Sequence, residues 1–113
     1  MADATTTLAD LRMRVFRFVS EREWARFHTP KDLAMALSIE ASELLERFLW
    51  RDAGLGPPPD PDRRAATEEL ADVFIYGLSM ANALEIDLSE AILAKLAANE
   101  RRFPAGEFRG RAP

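Results

Sequence analysis

The sequence of 113 residues contains no cysteine, a single histidine and only two lysines. Without cysteine the chain cannot form disulfides, thiolate metal sites or a cysteine nucleophile. No apolar segment approaches the roughly 20 residues of a membrane-spanning helix, and the first residues lack the apolar block of a signal peptide. We therefore expect a cytoplasmic protein with no membrane partner.

The chain carries 19 acidic and 15 basic residues, which gives a net charge of −4. A nonspecific nucleic-acid binder usually presents a basic surface, so this balance argues against a nucleic-acid partner. Hydrophobic residues make up 48% of the chain and charged residues 30%. This composition is typical of a globular protein, and the length suits a single domain.

Apolar residues recur at spacings of three and four along most of the chain, which predicts an all-α protein without strands. Thr29 and Asp87 have the composition and position of helix N-caps. A segment rich in proline and glycine, 51–62, predicts one long loop. We expect a helical bundle over residues 1–104 and a disordered tail over 105–113. The predicted helices span residues 7–26, 30–50, 60–84 and 88–102.

Two of these helices carry an acidic pair with three-residue spacing at the edge of the apolar face. The second helix has Glu40 and Glu43, and the third has Glu69 and Asp72. Residues three apart lie on the same side of a helix. If the two helices pack against each other, four carboxylates come together at their seam.

Crowded carboxylates repel one another and resist desolvation, so such a group needs cations. Oxygen ligands favour Mg²⁺ or Mn²⁺ over Zn²⁺, and Mg²⁺ held by a few carboxylates commonly binds substrate phosphate. The sequence therefore predicts a magnesium site that acts on phosphates. The alternative is structural, since acidic pairs on amphipathic helices often form surface ion pairs of little energetic value.

The fourth helix presents Lys95, Asn99 and Arg102 on one face. Lysine and arginine neutralise oxyanions, so this face suits phosphate binding. Basic residues near the C-terminus of a helix also interact favourably with its dipole. Both interpretations stay open on the sequence alone.

Several aromatic residues lie near the acidic pairs or at helix ends. Trp24, Trp50 and Tyr76 are placed where they could stack a nucleobase. His28 could hydrogen-bond the edge of a base, although a lone histidine more often has a structural role.

Three segments together resemble one family, and they cover about residues 11–104. The family is that of the MazG-like all-α nucleoside triphosphate pyrophosphatases, and the resemblance is closest to its dCTP pyrophosphatase branch. The segments are EREWARFHTPKDLAMALSIEASELLERFLW, EELADVFIY and IDLSEAILAKLAANERRFP.

The resemblance implies an oligomeric four-helix bundle of the MazG-like type that uses Mg²⁺ to hydrolyse nucleoside triphosphates to monophosphate and pyrophosphate. It implies that the acidic pairs are the metal ligands and catalytic residues. The branch also has a histidine in its first helix, where this chain has Val15. The residues implied to bind substrate are Trp24, His28, Trp50 and Tyr76 around the base, and Lys95 and Asn99 at the phosphates.

From the sequence we therefore predict a Mg²⁺-dependent pyrophosphohydrolase, with Mn²⁺ as a possible substitute, acting on dCTP or modified dCTP in nucleotide pool sanitation. We expect it to act as a dimer or tetramer. Related enzymes acting on dUTP, on many nucleoside triphosphates or on phosphoribosyl-ATP are an alternative. A helical interaction module without chemistry is another, and it predicts no dependence on metal.

Overall fold

A computed structural model describes residues 1–49 and 60–113, and every regular element in these two ranges is helical. Trp50 and residues 51–59 of the predicted loop over 51–62 lie outside the described residues, and α4 already begins at Asp60. No helix in the described ranges is long and apolar enough to cross a membrane. The helices are α1 (Ala2–Thr5), α2 (Leu8–Glu21), a short 3₁₀ helix (Ala25–Phe27), α3 (Pro30–Glu46), α4 (Asp60–Ala83), α5 (Leu88–Arg102) and α6 (Ala105–Phe108).

Side-chain caps begin two of the long helices where the sequence predicts them. Thr29 Oγ1 accepts a hydrogen bond from the backbone N–H of Asp32 at 3.2 Å, and Pro30 occupies the first turn of α3. Asp87 Oδ1 accepts from the N–H of Glu90 at 2.9 Å. These bonds satisfy N–H groups that have no partner inside a helix. The predicted starts of α3 and α5 are therefore confirmed.

Helix α2 ends five residues before its predicted limit because the chain reverses at Glu23. Glu23 adopts a left-handed conformation with φ of 56°. Its N–H donates to Ser20 O, and the N–H of Trp24 donates to Val19 O. This pair of bonds is a Schellman C-cap. Glycine usually occupies its left-handed position, so a glutamate there gives no sequence signal.

Helix α3 also ends early, at Glu46 instead of residue 50. The N–H groups of residues 47–49 donate to carbonyls three residues back, not four. Such tighter bonds commonly form the last turn of an α-helix. Arg47 is therefore the C-cap residue of α3.

Helices α3 and α4 run antiparallel and form the main packing of the chain. Leu37 of α3 lies beside Gly77 of α4, and Arg47, ten residues further along α3, contacts Glu69, eight residues back along α4. A Cβ added at Gly77 would lie 3.9 Å from Leu37 Cδ1, an ordinary van der Waals contact. The most buried apolar residues belong to this pair: Leu33, Leu78 and Ala81, each at most 5% exposed.

Helix α2 crosses α4 in the opposite direction and is held there by Arg12. Its guanidinium donates to Asn82 Oδ1 at 3.0 Å and to the carbonyl oxygens of Ala81 and Ile86. Asn82 Nδ2 donates back to Arg12 O at 3.2 Å. A cation is favourable at this point because the C-terminus of a helix carries partial negative charge.

The apolar faces predicted to form the core are only partly covered within one chain. Phe74 is 61% exposed, Leu70 46% and Leu84 48%, although the three- and four-residue spacing of the apolar residues places all three on the apolar face of α4. Helix α5 shares no extensive packing with α2, α3 or α4 among the described residues, and Leu93 is 66% exposed. The residues that the structure describes in one chain therefore form an all-α fold in which α5 does not close a four-helix bundle.

The C-terminal segment predicted as a disordered tail contains helix α6. Phe108 of α6 packs edge-on against Phe103, with ring centroids 5.2 Å apart. Phe108 is half-buried as a result.

Glu85 ends α4 with the same Schellman C-cap and a φ of 53°. We predict that Glu85→Gly raises the free energy of unfolding by roughly 0.5 kcal/mol, because relief of left-handed strain exceeds the added entropy of the unfolded chain. Chemical denaturation of both proteins measures this change. Glu85→Ala keeps a Cβ at the same φ and should give no gain. A Glu85→Gly variant that is less stable than the parent would contradict this account.

Candidate functional site

Carboxylates from α3 and α4 converge at the seam between these helices. Glu40, Glu43 and Glu69 each place one carboxylate oxygen within 4.8 Å of the others. Glu40 and Glu43 share a face because they are one helical turn apart. Antiparallel packing then brings Glu69 to the same place. We call these three residues the acidic cluster.

Asp72, the fourth residue predicted for this site, lies one turn beyond Glu69 on α4. It is half-buried. Among the described residues it is not part of the group within 4.8 Å. The structure therefore brings together three of the four predicted carboxylates and places the fourth next along the same helix.

The acidic cluster is more buried than residues at the edge of an apolar face usually are. Glu69 is only 8% exposed. Glu40 Oε2 is fully buried and has no hydrogen-bond partner among the described residues. A buried, unpartnered carboxylate oxygen is costly, so this position favours a cation.

The close approach of Glu40 changes the protonation of Glu43. The pKa of Glu43 is raised, first because hydrogen bonding to Glu40 favours the protonated carboxyl and then because the negative charge of Glu40 opposes ionisation. Glu69 adds to the same effect. Like charges that share a site typically shift a carboxyl in this direction.

Arg47 provides the one positive charge that contacts the acidic cluster within the described residues. Its Nη2 donates to Glu69 Oε1 at 2.8 Å. This hydrogen bond lowers the pKa of Glu69, although burial opposes the shift, and it raises the pKa of Arg47. The sequence places Arg47 four residues after Glu43, on the stripe of the acidic residues. The partner across the seam was not predictable from that spacing.

The donor set suits a hard divalent cation. Three carboxylate groups offer only oxygen ligands, which Mg²⁺ and Mn²⁺ prefer. Glu40 Oε2 is buried without a partner, so it remains available for a metal. The residues of the acidic cluster therefore fit a metal-binding role. A divalent cation held there would neutralise the two carboxylates that Arg47 does not contact.

A cavity of about 310 Å³ opens at the other end of the α3 and α4 pair. Ser79 lies ten residues after Glu69, which is about 15 Å along a helix. The polar side chains at the cavity are those of His28, Ser79 and Asn82. Arg12 occupies both ends of the Asn82 amide. The remaining lining residues are apolar: Val15, Phe16, Val19, Ala25, Pro30 and Ala83.

His28 lines this cavity, whereas Trp24 and Tyr76 are not among its lining residues. Trp24 is 44% exposed and packs edge-on against Phe18, with ring centroids 5.7 Å apart. Tyr76 is half-buried on α4, one turn beyond Asp72.

The predicted phosphate contacts lie on α5. Lys95 is exposed and Asn99 is half-buried. Helix α5 packs only slightly on the other long helices of the described chain.

The sequence profile of the MazG-like family matches residues 35–112. The crystal structure of a pyrophosphatase from Archaeoglobus fulgidus is similar in fold, with a TM-score of 0.72 and 36% identity. That similarity covers 85% of this chain and 91% of the archaeal chain.

Two mammalian relatives extend the similarity over most of the chain. The dCTP pyrophosphatase 1 of Mus musculus is 40% identical over 109 residues, which is 94% of this chain and 64% of the mouse protein. The dCTP pyrophosphatase 1 of Homo sapiens is 43% identical over 102 residues, which is 88% of this chain and 60% of the human protein. The chain thus spans less than two thirds of the length of these relatives.

Neutralising Glu43, which is crowded by other carboxylates, and neutralising Glu69, which is paired with Arg47, should change the stability of the metal-free chain in opposite directions. Glu43→Gln removes a crowded negative charge, so we expect a higher melting temperature than that of the parent chain at pH 7. Glu69→Gln removes a carboxylate whose ionised form is stabilised by the hydrogen bond from Arg47, so we expect a lower one. Thermal melting in chelator measures both. Glu46→Gln, on the exposed side of α3, is the control and should melt like the parent.

The pH dependence of these differences follows from the direction of each pKa shift. The folded chain holds the Glu43 proton more tightly than the unfolded chain, so stability falls as the pH rises from the ordinary value of 4.5 through the raised pKa. The advantage of Glu43→Gln should grow over that interval. The lowered pKa of Glu69 acts oppositely, because its contribution is lost as the pH falls below 4.5. A stability difference for Glu43→Gln that is constant between pH 4 and 7 would disprove the crowding.

Proposed function

The chain belongs to the MazG-like family, and from that premise we propose that it is a metal-dependent nucleotide pyrophosphohydrolase. We propose that it converts dCTP or a modified dCTP to dCMP and pyrophosphate, and so removes unwanted nucleotides in the cytoplasm. The observation that carries the proposal is the convergence of Glu40, Glu43 and Glu69 at the seam of α3 and α4. The names of the mammalian relatives support the choice of dCTP.

The proposed roles follow from the chemistry of each side chain. Glu40, Glu43 and Glu69 would hold Mg²⁺, with Asp72 adjacent as a further ligand, and Mn²⁺ could replace it. A bound Mg²⁺ supplies charge neutralisation at phosphate oxygens and lowers the pKa of coordinated water. The carboxylates position that charge, and one of them accepts the proton of the attacking water.

The cavity at the other end of the helix pair suits the base and the sugar. Its wall is mostly apolar, and His28 and Ser79 make no side-chain hydrogen bond with the described residues. Val15 lines the cavity where the related branch has a histidine, which leaves His28 and Ser79 as the polar groups able to read a base edge. Trp24, Trp50 and Tyr76 remain proposed stacking residues, and Lys95 and Asn99 remain proposed phosphate contacts.

We propose that the active form is a homo-oligomer, a dimer or a tetramer, in which a second copy completes the helical bundle. Only three apolar residues are buried among those that the structure describes in one chain. The radius of gyration is 17.0 Å, whereas a compact chain of this length has one near 13 Å. The exposed apolar side chains of α5, Ile92, Leu93 and Leu96, support a contact of α5 with another copy.

A nucleotide panel tests the proposed activity. With Mg²⁺ we expect pyrophosphate release to be fastest with dCTP or a modified dCTP, and chelator should abolish it. Glu43→Gln should reduce kcat/KM by about 100-fold or more, because changing a residue that only supports a metal ligand already costs about 10–100-fold. Glu46→Gln removes the same charge from the exposed side of α3 and should keep the activity. Turnover of dUTP in preference to dCTP would select the related alternative, and absence of any turnover would favour the interaction module.

The oligomeric state has its own test. Sedimentation at micromolar concentration should show a dimer or tetramer, because one chain leaves large apolar faces in water. Leu93→Glu places a charge on the exposed face of α5 and should shift the distribution toward smaller species. A purely monomeric parent chain that is active would refute the proposal.

A further inference from the structure

Arg47 lies where a cation is needed when no metal is bound. Its guanidinium contacts Glu69 at 2.8 Å, and Glu69 is the most buried member of the acidic cluster. Within the described residues no other arginine or lysine contacts the three carboxylates. Arg47 therefore supplies the local neutralisation that a metal would otherwise provide.

The position of Arg47 at the end of α3 allows its guanidinium to move away from the acidic cluster into solvent. Arg47 caps the C-terminus of α3, and its side chain is 46% exposed, against 11% for Glu69. The guanidinium thus reaches the acidic cluster from the solvent side, while Glu69 stays fixed at the helix seam. Since the described residues offer it no second carboxylate within hydrogen-bond distance, one ion pair holds it in place.

A divalent ion at the acidic cluster would weaken the interaction of Arg47 with Glu69. Glu69 would then neutralise two cations within a few ångströms of each other, and like charges at that distance repel. The half-exposed guanidinium can regain hydration at little cost, because exposed ion pairs contribute little. The metal ligand cannot move in the same way, because it is buried between α3 and α4.

We propose that Arg47 is a resident counter-ion that competes with the divalent metal for Glu69. It stabilises the metal-free site, weakens metal binding and withdraws toward solvent when the metal binds. Arg47 is therefore a positioning residue that sets the metal concentration at which the site fills. This inference rests on the metal site of the proposed function.

Metal titration of the full chain tests the competition. Mn²⁺ binding, followed by electron paramagnetic resonance and calorimetry, should be about three-fold tighter in Arg47→Gln than in the parent chain, the size expected for an exposed ion pair. The melting temperature in chelator should fall in the same variant, so its rise on adding Mn²⁺ should be larger. A purely structural arginine would lower the melting temperature without tightening the metal.

Arg47→Lys and Arg111→Gln complete the design. Lysine keeps the charge but lacks the planar fork of arginine, so Mn²⁺ affinity should lie between those of the parent and Arg47→Gln. If Arg47→Gln does not fold, tighter binding in Arg47→Lys than in the parent supports the proposal, and equal or weaker binding overturns it. Arg111→Gln removes an equal charge from an exposed position after α6 and should leave the affinity unchanged.

The outcomes separate this inference from the proposed function. Equal or weaker Mn²⁺ binding in Arg47→Gln overturns the competition, and weaker binding assigns Arg47 to support of the metal ligand. If the parent chain binds no Mn²⁺, or if Glu43→Gln leaves Mn²⁺ binding intact, the proposed metal site itself fails.

Discussion

The desolvated negative charge between α3 and α4 is the constraint on which the rest of the site depends. Packing these helices buries Glu69 and one oxygen of Glu40 beside a third carboxylate. Burial and mutual repulsion both oppose ionisation there. A protein that only needed stability would place apolar side chains at this seam, because replacing buried ionic groups in that way is often stabilising. The seam thus gives up stability in a manner typical of functional sites.

Local sequence signals were sufficient to predict much of the helical framework. The tertiary contacts could not be predicted from them. Thr29 and Asp87 could be identified as caps because the bond that each accepts comes from a residue three positions away. The end of α2 was harder, since Glu23 takes a conformation that normally indicates glycine. The stop of α3 at Glu46 depends on backbone bonds to which no residue type is specific.

The same distinction applies to the candidate site. The spacing of Glu40 and Glu43 on one helix, and of Glu69 and Asp72 on another, was sufficient to predict a shared seam. It could not predict that Arg47 would bond Glu69, 22 residues away in the sequence. It also could not decide which apolar faces are buried within one chain, because an amphipathic pattern is the same for a core and for a contact with another copy.

The helix pair places two unlike environments about 15 Å apart along one axis. One end concentrates carboxylates that require cations, and the other is a mainly apolar cavity with His28 and Ser79 as polar groups. A nucleoside triphosphate has the same division, with a polyanionic chain that takes up metal ions at one end and a flat base at the other. Antiparallel packing fixes the separation because α3 and α4 are rigid rods that share a seam. Under the proposed function, a ligand with both parts in that order would contact both ends, and the spacing between them would contribute to its selection.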